Sequence, residues 1–501
     1  MPSGKRFVVV FVVDGLRPDA VTAENTPTLF RLKTEGVNFT NGHAVFPTVT
    51  RVNAAALGTG TQPGTNGILG NQMYVPAVEP RRAFDTGDYR NLLALDRATG
   101  GRVVLTPTLG ERLAARGLRL AAVSSGSTGS ALLTNPRAVA GVGVLINGYF
   151  DPGRTVAWPA SVSEAVLAKF GPAPAKTGGD RYDASVTWTQ RVLREYVLPE
   201  LQPAVVINWL TEPDHSQHHL GVGAPSTREA LRNDDGEIER VLATLDELGL
   251  LGSTDVFVVS DHGFTTNTAG VDVARALIDA GLKTASDSAD VVLASSGQAV
   301  ALHVGGHDAD RIARIARFIQ SRDWGGVLFA AGRAPGDPRG VVEGTFSLEL
   351  IHLANDERGP GLVVTFPWSS TPNAFGVPGS DLANVSRGGA PLASDHGSLS
   401  PWNVRNTFLA WGVDFKTHTV IDAPAGNVDV TPTILALLGI AERDGLDGRV
   451  LTEALASGGD AAQVAVETRV HTVDAGAYAA ALQVSVVDGH RYVDKSWRLA
   501  R

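Results

Sequence analysis

The run FVVVFVVDG, residues 7–15, decides the fold class of this chain. Its first seven residues are five valines and two phenylalanines, and the run ends at Asp14 and Gly15. A short, continuous, β-branched apolar run is typical of a strand buried on both faces, as in a parallel sheet. Lys5 and Arg6 precede it, as in a short signal peptide, but no small-residue cleavage site follows. The sequence therefore favours a buried first strand over a signal peptide.

Similar apolar runs alternate with helical patterns through the first half of the chain. The segment 237–249 carries its apolar residues on one helical face and stops at Gly249. Strand–helix–strand alternation with continuous apolar strands predicts an α/β fold with a mostly parallel central sheet flanked by helices. Further helices are predicted at 26–36 and 108–117, and further strands at 118–125, 204–210 and 254–260.

The length of the chain predicts a divided architecture. Its 501 residues are more than one hydrophobic core usually serves. Residues 1–262 are predicted to form the first part of the α/β core, and residues 394–501 the second part, which ends in a hairpin turning at Asp488-Gly489. Between them, residues 263–393 are predicted to be an inserted α+β lobe that includes a polar, Gly/Ser/Pro-rich loop at 369–394.

The composition excludes several classes of site and partner. The chain has no cysteine, which rules out disulfides and zinc–thiolate sites. Its net charge of −9 argues against binding to a nucleic-acid duplex, which needs a basic face. No apolar run approaches the roughly 18–20 residues that a membrane span requires. With no convincing signal peptide, we expect a cytoplasmic protein and leave export open, and the oligomeric state has no sequence signal.

Acidic, imidazole and hydroxyl side chains cluster where the predicted strands end. The carboxyl ends of parallel strands share one rim of a sheet, where ligands bind in such folds. Taken singly, these residues are weak signals, because Asp14 could cap a turn and His396 could be a buried structural histidine. Together they predict a metal site of nitrogen and oxygen ligands, for which zinc is suited and manganese or iron are alternatives. The segments are VVDG (12–15), FPTVTRVN (46–53), TEPDHSQHH (211–219), VVSDHG (258–263) and ASDHG (393–397).

In their order along the chain, these segments resemble the motifs of the alkaline phosphatase superfamily, most closely its nucleotide pyrophosphatase/phosphodiesterase branch. The resemblance covers about residues 1–75, 204–265 and 394–440. It implies two zinc ions, a small phosphate ester or nucleotide as substrate, and Thr50 as the nucleophile. It further implies that one metal is held by Asp214, His218 and His396, and the other by Asp14, Asp261 and His262 together with Thr50.

Two threonines of FPTVTRVN compete for the role of nucleophile. The residues after Thr50 favour a helix, so its hydroxyl would lie at a helix N-terminus, where free N–H groups favour phosphate oxygens. Asn53 lies one turn further along the same face, where its amide would donate to a phosphoryl oxygen. Thr48 has Arg51 at the equivalent spacing. We therefore predict Thr50 as the nucleophile and Asn53 as its catalytic partner; the structural alternative for Thr50 is a helix cap.

Two residues depart from the pattern of the family. Phosphodiesterase members often carry an aromatic residue directly after the nucleophile, where this chain has Arg51. Arg51 either binds a substrate phosphate or faces solvent from the first helical turn. Asp395 is either a hydrogen-bond partner of a metal-ligating histidine or a turn residue.

These observations predict a two-zinc phosphodiesterase or nucleotide pyrophosphatase with a covalent phosphothreonine intermediate. A phosphomonoesterase or phosphonate hydrolase of the same superfamily is the alternative, because Arg51 and Arg17 could bind a dianion. An inactive, metal-stabilised binding scaffold is a third interpretation, against which the complete set of candidate ligands and Thr50 speak.

Overall fold

A nine-stranded sheet lies at the centre of the protein. The computed structural model describes residues 6–151, 154–175, 181–385, 389–441 and 444–500. In chain order the strands of the central sheet are β1 (Phe7–Val13), β2 (Val37–Phe39), β3 (Leu120–Ser124), β4 (Val144–Asp151), β5 (Arg154–Trp158), β6 (Val205–Leu210), β7 (Thr254–Val259), β8 (Phe408–Gly412) and β9 (Thr419–Ile421).

The strand order across this sheet is β9-β2-β8-β7-β1-β6-β3-β4-β5. The middle strands β7, β1, β6, β3 and β4 run parallel, whereas β8 and β5 pair antiparallel with their neighbours. In this register Val8 of β1 lies between Val205 of β6 and Asp255 of β7. The predicted mostly parallel sheet, with residues 7–13 as a buried strand, is therefore confirmed.

Helices cover both faces of the sheet, which explains why β1 is apolar throughout. Val8 and Val10 pack into the core on one face, and Phe7 and Val9 into the core on the other. Helices contributing to the first core are Thr50–Thr59, Tyr89–Ala98, Leu109–Ala114, Thr128–Thr134 and Val430–Leu437. Helices contributing to the second are Pro27–Glu35, Ala160–Phe170, Asp183–Val192 and Pro225–Glu247, with the π-helix Leu193–Leu201.

Local sequence signals place several helix ends where they were predicted. The helix Pro27–Glu35 ends at Gly36, whose N–H donates to the carbonyl of Leu32. The helix Leu109–Ala114 begins after Thr108, which forms a reciprocal capping box with Glu111. These ends fix the short connections that return the chain to the central sheet.

A second group of sheets and helices lies between β7 and β8 in the chain. Its five-stranded sheet has the order Val291–Ser295, Ala299–Val304, Leu362–Thr365, Leu328–Ala330, Phe346–Ser347. Its helices are Val273–Asp279 and Ala309–Gln320. A four-stranded sheet has the order Trp368–Pro372, Pro378–Asn384, Thr265–Val271, Ser394–Asp395.

The expectation of a loop at 369–394 is wrong for much of that stretch. Trp368–Pro372 and Pro378–Asn384 form an antiparallel hairpin, and the second strand also pairs in parallel with Thr265–Val271. Trp368–Pro372 is exposed or half-buried, and the buried positions of Pro378–Asn384 include Gly379, Ser380 and Asp381, so the local sequence lacks the apolar alternation of a core strand.

The C-terminal residues form a three-stranded antiparallel sheet of Glu467–Ala475, Tyr478–Val487 and His490–Arg498. The predicted hairpin at Asp488-Gly489 is confirmed, with both residues at positive φ (50° and 83°). Leu482 and Val493 pack into the same hydrophobic core as the five-stranded sheet. The predicted domain division at residue 394 separates Leu482 and Val493 from the five-stranded sheet, although all of them share this core. The domain boundaries stay a prediction.

None of the helices in the described chain combines the length and the apolar character that crossing a bilayer requires.

Short elements complete the described chain. The remaining pairs and helices are Gly42–His43 with Ala425–Gly426, Gln72–Met73 with Phe84–Asp85, Pro63–Asn66, Asp214–Leu220 and Pro401–Val404.

Candidate active site

The candidate site lies at the carboxyl ends of three neighbouring strands. Asp14 directly follows β1, Asp261 follows β7 by two residues, and Asp214 opens the short helix after β6. The backbone N–H of Asp214 donates to the carbonyl of Asp14 (3.1 Å), which fixes these two segments against each other. Thr50 is the first residue of the helix Thr50–Thr59 and reaches the same rim.

The first group of side chains surrounds the imidazole of His262. Its Nε2 lies 3.0 Å from Asp261 Oδ2 and 3.6 Å from Asp14 Oδ1. Thr50 Oγ1 lies 3.3 Å from the same nitrogen. The structure thus brings together all four residues that the sequence assigned to one metal.

The second group surrounds the carboxylate of Asp214. Its Oδ1 lies 3.4 Å from the Nε2 atoms of both His218 and His396. It also lies 3.9 Å from His262 Nε2, and the rings of His262 and His396 stack with centroids 3.6 Å apart. The two groups therefore form one continuous cluster, and the division of its residues between two ions stays a prediction.

The three histidines present the same ring nitrogen to the cluster. In each, Nδ1 lies 2.9–3.0 Å from a backbone carbonyl, which can only accept a hydrogen bond. Nδ1 therefore carries the proton, and the Nε2 lone pair is available to a metal. The pairs are His218 with Ser394, His262 with Gly263, and His396 with Thr48.

The three aspartates each direct one unpartnered oxygen into the cluster. Asp14 Oδ1, Asp214 Oδ1 and Asp261 Oδ2 are buried and have no hydrogen-bond partner within the described residues. The other oxygens of Asp14 and Asp261 are occupied, by Trp209 Nε1 (2.9 Å) and Gly15 N (3.0 Å). Buried carboxylate oxygens are rarely left without a partner. Together with the three imidazole lone pairs, they fit a divalent cation with mixed oxygen and nitrogen ligands.

The electrostatics of the cluster favour the same interpretation. Burial, together with the neighbouring Asp261 carboxylate, raises the pKa of Asp14. Burial alone would lower the pKa of His218, but the Asp214 carboxylate, together with Asp395 and the Ser394 carbonyl, raises that pKa to about 9. A bound cation would stabilise the ionised form of Asp14 and displace the proton of His218.

Of the two threonines, Thr50 is the one whose hydroxyl lies in the cluster. The N-cap residue of the helix is Val49, and the Thr50 side chain makes no capping hydrogen bond. Thr50 is therefore not a helix cap, the structural role that was its alternative. The hydroxyl of Thr48 donates to Ser398 O (2.9 Å) and accepts from Gly397 N (3.1 Å). The Thr48 hydroxyl therefore fixes the segment before the helix to the backbone of Gly397 and Ser398.

Asn53 does not present its amide to the site, and the predicted role as phosphoryl donor is wrong for this geometry. Its Nδ2 donates to the carbonyls of Val45 and Val49, both at 3.1 Å. Its Oδ1 accepts from Val45 N and from Asn427 Nδ2. With both N–H groups used and the side chain fully buried, Asn53 shapes the segment before Thr50 instead.

Asn71 offers the free side-chain amide that the sequence assigned to Asn53. Its Oδ1 accepts from the backbone N–H of Arg51 (3.2 Å), one residue after Thr50. Its Nδ2 makes no hydrogen bond within the described residues, and the side chain is half-buried. Because a loop returns this residue to the helix from 20 positions away, spacing along the sequence gives no signal for it.

Two arginines that the sequence proposed as phosphate ligands have defined positions. Arg17 is buried and donates to Asp19 and to the carbonyls of Phe264 and Pro378, so the structure does not leave it free to bind a dianion. Arg51 lies half-buried beside Gly87.

Asp395 lies against two of the candidate ligands. Its Oδ1 accepts from the backbone N–H of His396 (2.8 Å) and is 3.8 Å from His218 Nδ1. This position agrees with a role in orienting the two histidines, which stays a prediction.

Comparison with known families identifies the family of the chain. The sequence profile of the type I phosphodiesterase/nucleotide pyrophosphatase family matches residues 8–323. The chain belongs to this family. The match contains Asp14, Thr50, Asp214 and His262 of the cluster and ends before His396.

Individual members of the family are distant relatives. The chain is 24% identical to ectonucleotide pyrophosphatase/phosphodiesterase family member 1 of Rattus norvegicus over 257 residues, which is 51% of this chain and 24% of the relative. It is 23% identical to family member 3 of Mus musculus over 262 residues, again 51% of this chain and 24% of the relative. The chain thus spans about a quarter of the length of the curated relatives that it matches.

Proposed function

We propose that this protein is a two-zinc phosphoric-ester hydrolase that cleaves phosphodiesters or pyrophosphate-linked nucleotides through a phosphothreonine intermediate on Thr50. One observation carries the proposal: Thr50 Oγ1 lies 3.3 Å from His262 Nε2, inside a cluster of buried, unpartnered carboxylate oxygens. Membership of the phosphodiesterase family and the names of the relatives support the class of substrate.

Two sets of side chains would hold the ions. Divalent metal ions, when bound, supply Lewis acidity: they lower the pKa of a coordinated hydroxyl and offset charge on a phosphoryl group. Zinc suits imidazole and carboxylate ligands, and manganese or iron could replace it. The proposed sets are Asp14, Asp261 and His262 with Thr50, and Asp214, His218 and His396.

The chemistry of the chain is an in-line double displacement at phosphorus. Thr50 Oγ1 forms a bond to phosphorus as the bond to the leaving oxygen breaks, and the threonine proton passes to solvent. A water oxygen then attacks the phosphothreonine, and Thr50 Oγ1 leaves and is reprotonated. The free amide N–H groups of Asn71, beside the start of the Thr50 helix, would donate to a phosphoryl oxygen as negative charge develops.

Replacing each of the two asparagines with alanine distinguishes the proposed phosphoryl donor from the structural residue. We expect Asn71→Ala to lower kcat/KM by about 10²–10³-fold, the usual cost of removing one such donor, with little change in melting temperature. Asn53→Ala should chiefly lower the melting temperature, because it removes four buried hydrogen bonds. The measurement is steady-state kinetics on folded protein beside calorimetry. If Asn53→Ala lowered kcat/KM and Asn71→Ala lowered only the melting temperature, Asn53 would be the donor instead.

A substrate panel tests the proposed function. We expect the zinc-loaded protein to hydrolyse bis(4-nitrophenyl) phosphate with a kcat/KM at least about tenfold above that for 4-nitrophenyl phosphate. A preference for the monoester, or for a phosphonate, would select the alternative hydrolase. Metal-loaded protein that turns over none of these substrates would support a binding scaffold instead.

A further inference from the structure

Arg51 directly follows the candidate nucleophile in the chain and carries a guanidinium donor that no described residue accepts. Its Nε is buried and has no hydrogen-bond partner within the described residues. None of the ion pairs found in that part of the chain includes Arg51. A buried guanidinium N–H without an acceptor costs free energy. An anionic oxygen of a ligand would meet this need.

Neighbouring loops hold the Arg51 side chain in place. The backbone N–H of Arg51 donates to Asn71 Oδ1 (3.2 Å). Its guanidinium packs against Gly87, where an added Cβ would overlap Nη2. The carbonyl of Gly87 in turn accepts from Gly129 N (2.8 Å) and Thr128 Oγ1 (3.2 Å). The guanidinium is therefore confined between the start of the Thr50 helix and two loops, rather than extended into solvent.

The reaction geometry indicates which part of a substrate Arg51 meets. In an in-line displacement the leaving oxygen departs on the side of phosphorus opposite the attacking Thr50. Arg51 belongs to the same helical turn as Thr50, as the residue next to it. A side chain on this turn would meet the oxygens and the substituent that stay on phosphorus, and not the leaving group.

We propose that Arg51 is a specificity-determining residue that binds a second negative charge on the transferred phosphoryl group. Such a charge is found on a phosphomonoester, or on a retained substituent that itself carries an anionic oxygen. This inference rests on the proposed function, because it requires Thr50 to attack phosphorus. It explains why an arginine, and not an aromatic residue that would stack on a neutral retained group, follows Thr50.

A matched pair of substrates isolates this charge. Methyl 4-nitrophenyl phosphate and 4-nitrophenyl phosphate share a leaving group, and at about pH 8 they carry one and two negative charges. We expect Arg51→Gln to lower kcat/KM for the doubly charged ester about 10- to 100-fold more than for the singly charged one, the usual worth of a charge-assisted hydrogen bond. Arg51→Lys should restore part of the loss, and Gly87→Ala, which displaces the guanidinium and keeps its charge, should reproduce part of it.

Controls separate this inference from the proposed function. Arg116→Gln removes an exposed arginine and should leave the ratio of the two kcat/KM values unchanged. Metal content and melting temperature, measured for each variant, identify any loss caused by misfolding. If the unaltered protein cleaves neither ester, the proposed function fails. If it cleaves both and Arg51→Gln leaves their ratio unchanged, only the role of Arg51 is overturned.

Discussion

Thr50→Ala is expected to lower kcat for phosphodiester hydrolysis by on the order of 10⁴-fold or more, since it removes the only proposed nucleophile. Thr50→Ser keeps a hydroxyl at the same position and should retain turnover within about two orders of magnitude. Oγ1 makes only a 3.3 Å contact with His262 and no cap, so Thr50→Ala should fold, and it should keep its metal through the remaining proposed ligands. Initial rates, metal content and melting temperature on the same preparations give the result.

Thr48→Val is the matched control for this experiment. It removes the other hydroxyl of the motif, which is bound to Ser398 O and Gly397 N. It should lower the melting temperature while folded protein keeps far more activity than Thr50→Ala. Rapid acid quench followed by mass spectrometry should place the phosphoryl group, together with the substituent that it retains, on the peptide that contains Thr50. Full turnover by Thr50→Ala, or phosphate on a different residue, would eliminate the proposed intermediate.

The candidate site could be located from the sequence because its residues follow strands with an unambiguous pattern. The continuous apolar run of β1 specifies where that strand ends, so Asp14 must lie at its carboxyl end. The same holds for Asp261 after β7. Because β1 and β7 are parallel neighbours, their carboxyl ends lie side by side, and this brings the two aspartates together.

Contacts made through tertiary structure could not be derived in this way. Helical spacing correctly placed Asn53 one turn from Thr50, but the amide turns back to Val45 and Val49, which no spacing rule describes. Asn71 reaches the helix only because a loop returns to it. The hairpin at 368–384 forms on the edge of Thr265–Val271, so its strands are specified by a partner and not by their own composition.

Removing the metal is expected to abolish turnover and to lower the melting temperature by several degrees. Each ion contributes about 4 kcal/mol of folding free energy when its free concentration is 1,000 times its Kd, and the apo protein loses this contribution. It also retains the three unpartnered aspartate oxygens and their mutual repulsion. Dialysis against a chelator, followed by calorimetry and by activity after zinc is restored, provides the measurement. Activity that survives complete chelation would contradict the two-metal proposal.

The affinity for metal should rise with pH up to about pH 9. In the metal-free protein burial lowers the pKa of His218, but Asp214 raises it to about 9. Below that pH the imidazole is protonated, and its proton must leave before Nε2 can bind a metal. Each pH unit should therefore increase the association constant at least about tenfold. Competition with a chromophoric chelator, corrected for the chelator's own protonation, measures this slope. His218→Ala should bind metal more weakly and lose about one proton from the slope, whereas an unaltered slope would show that this histidine is not a ligand.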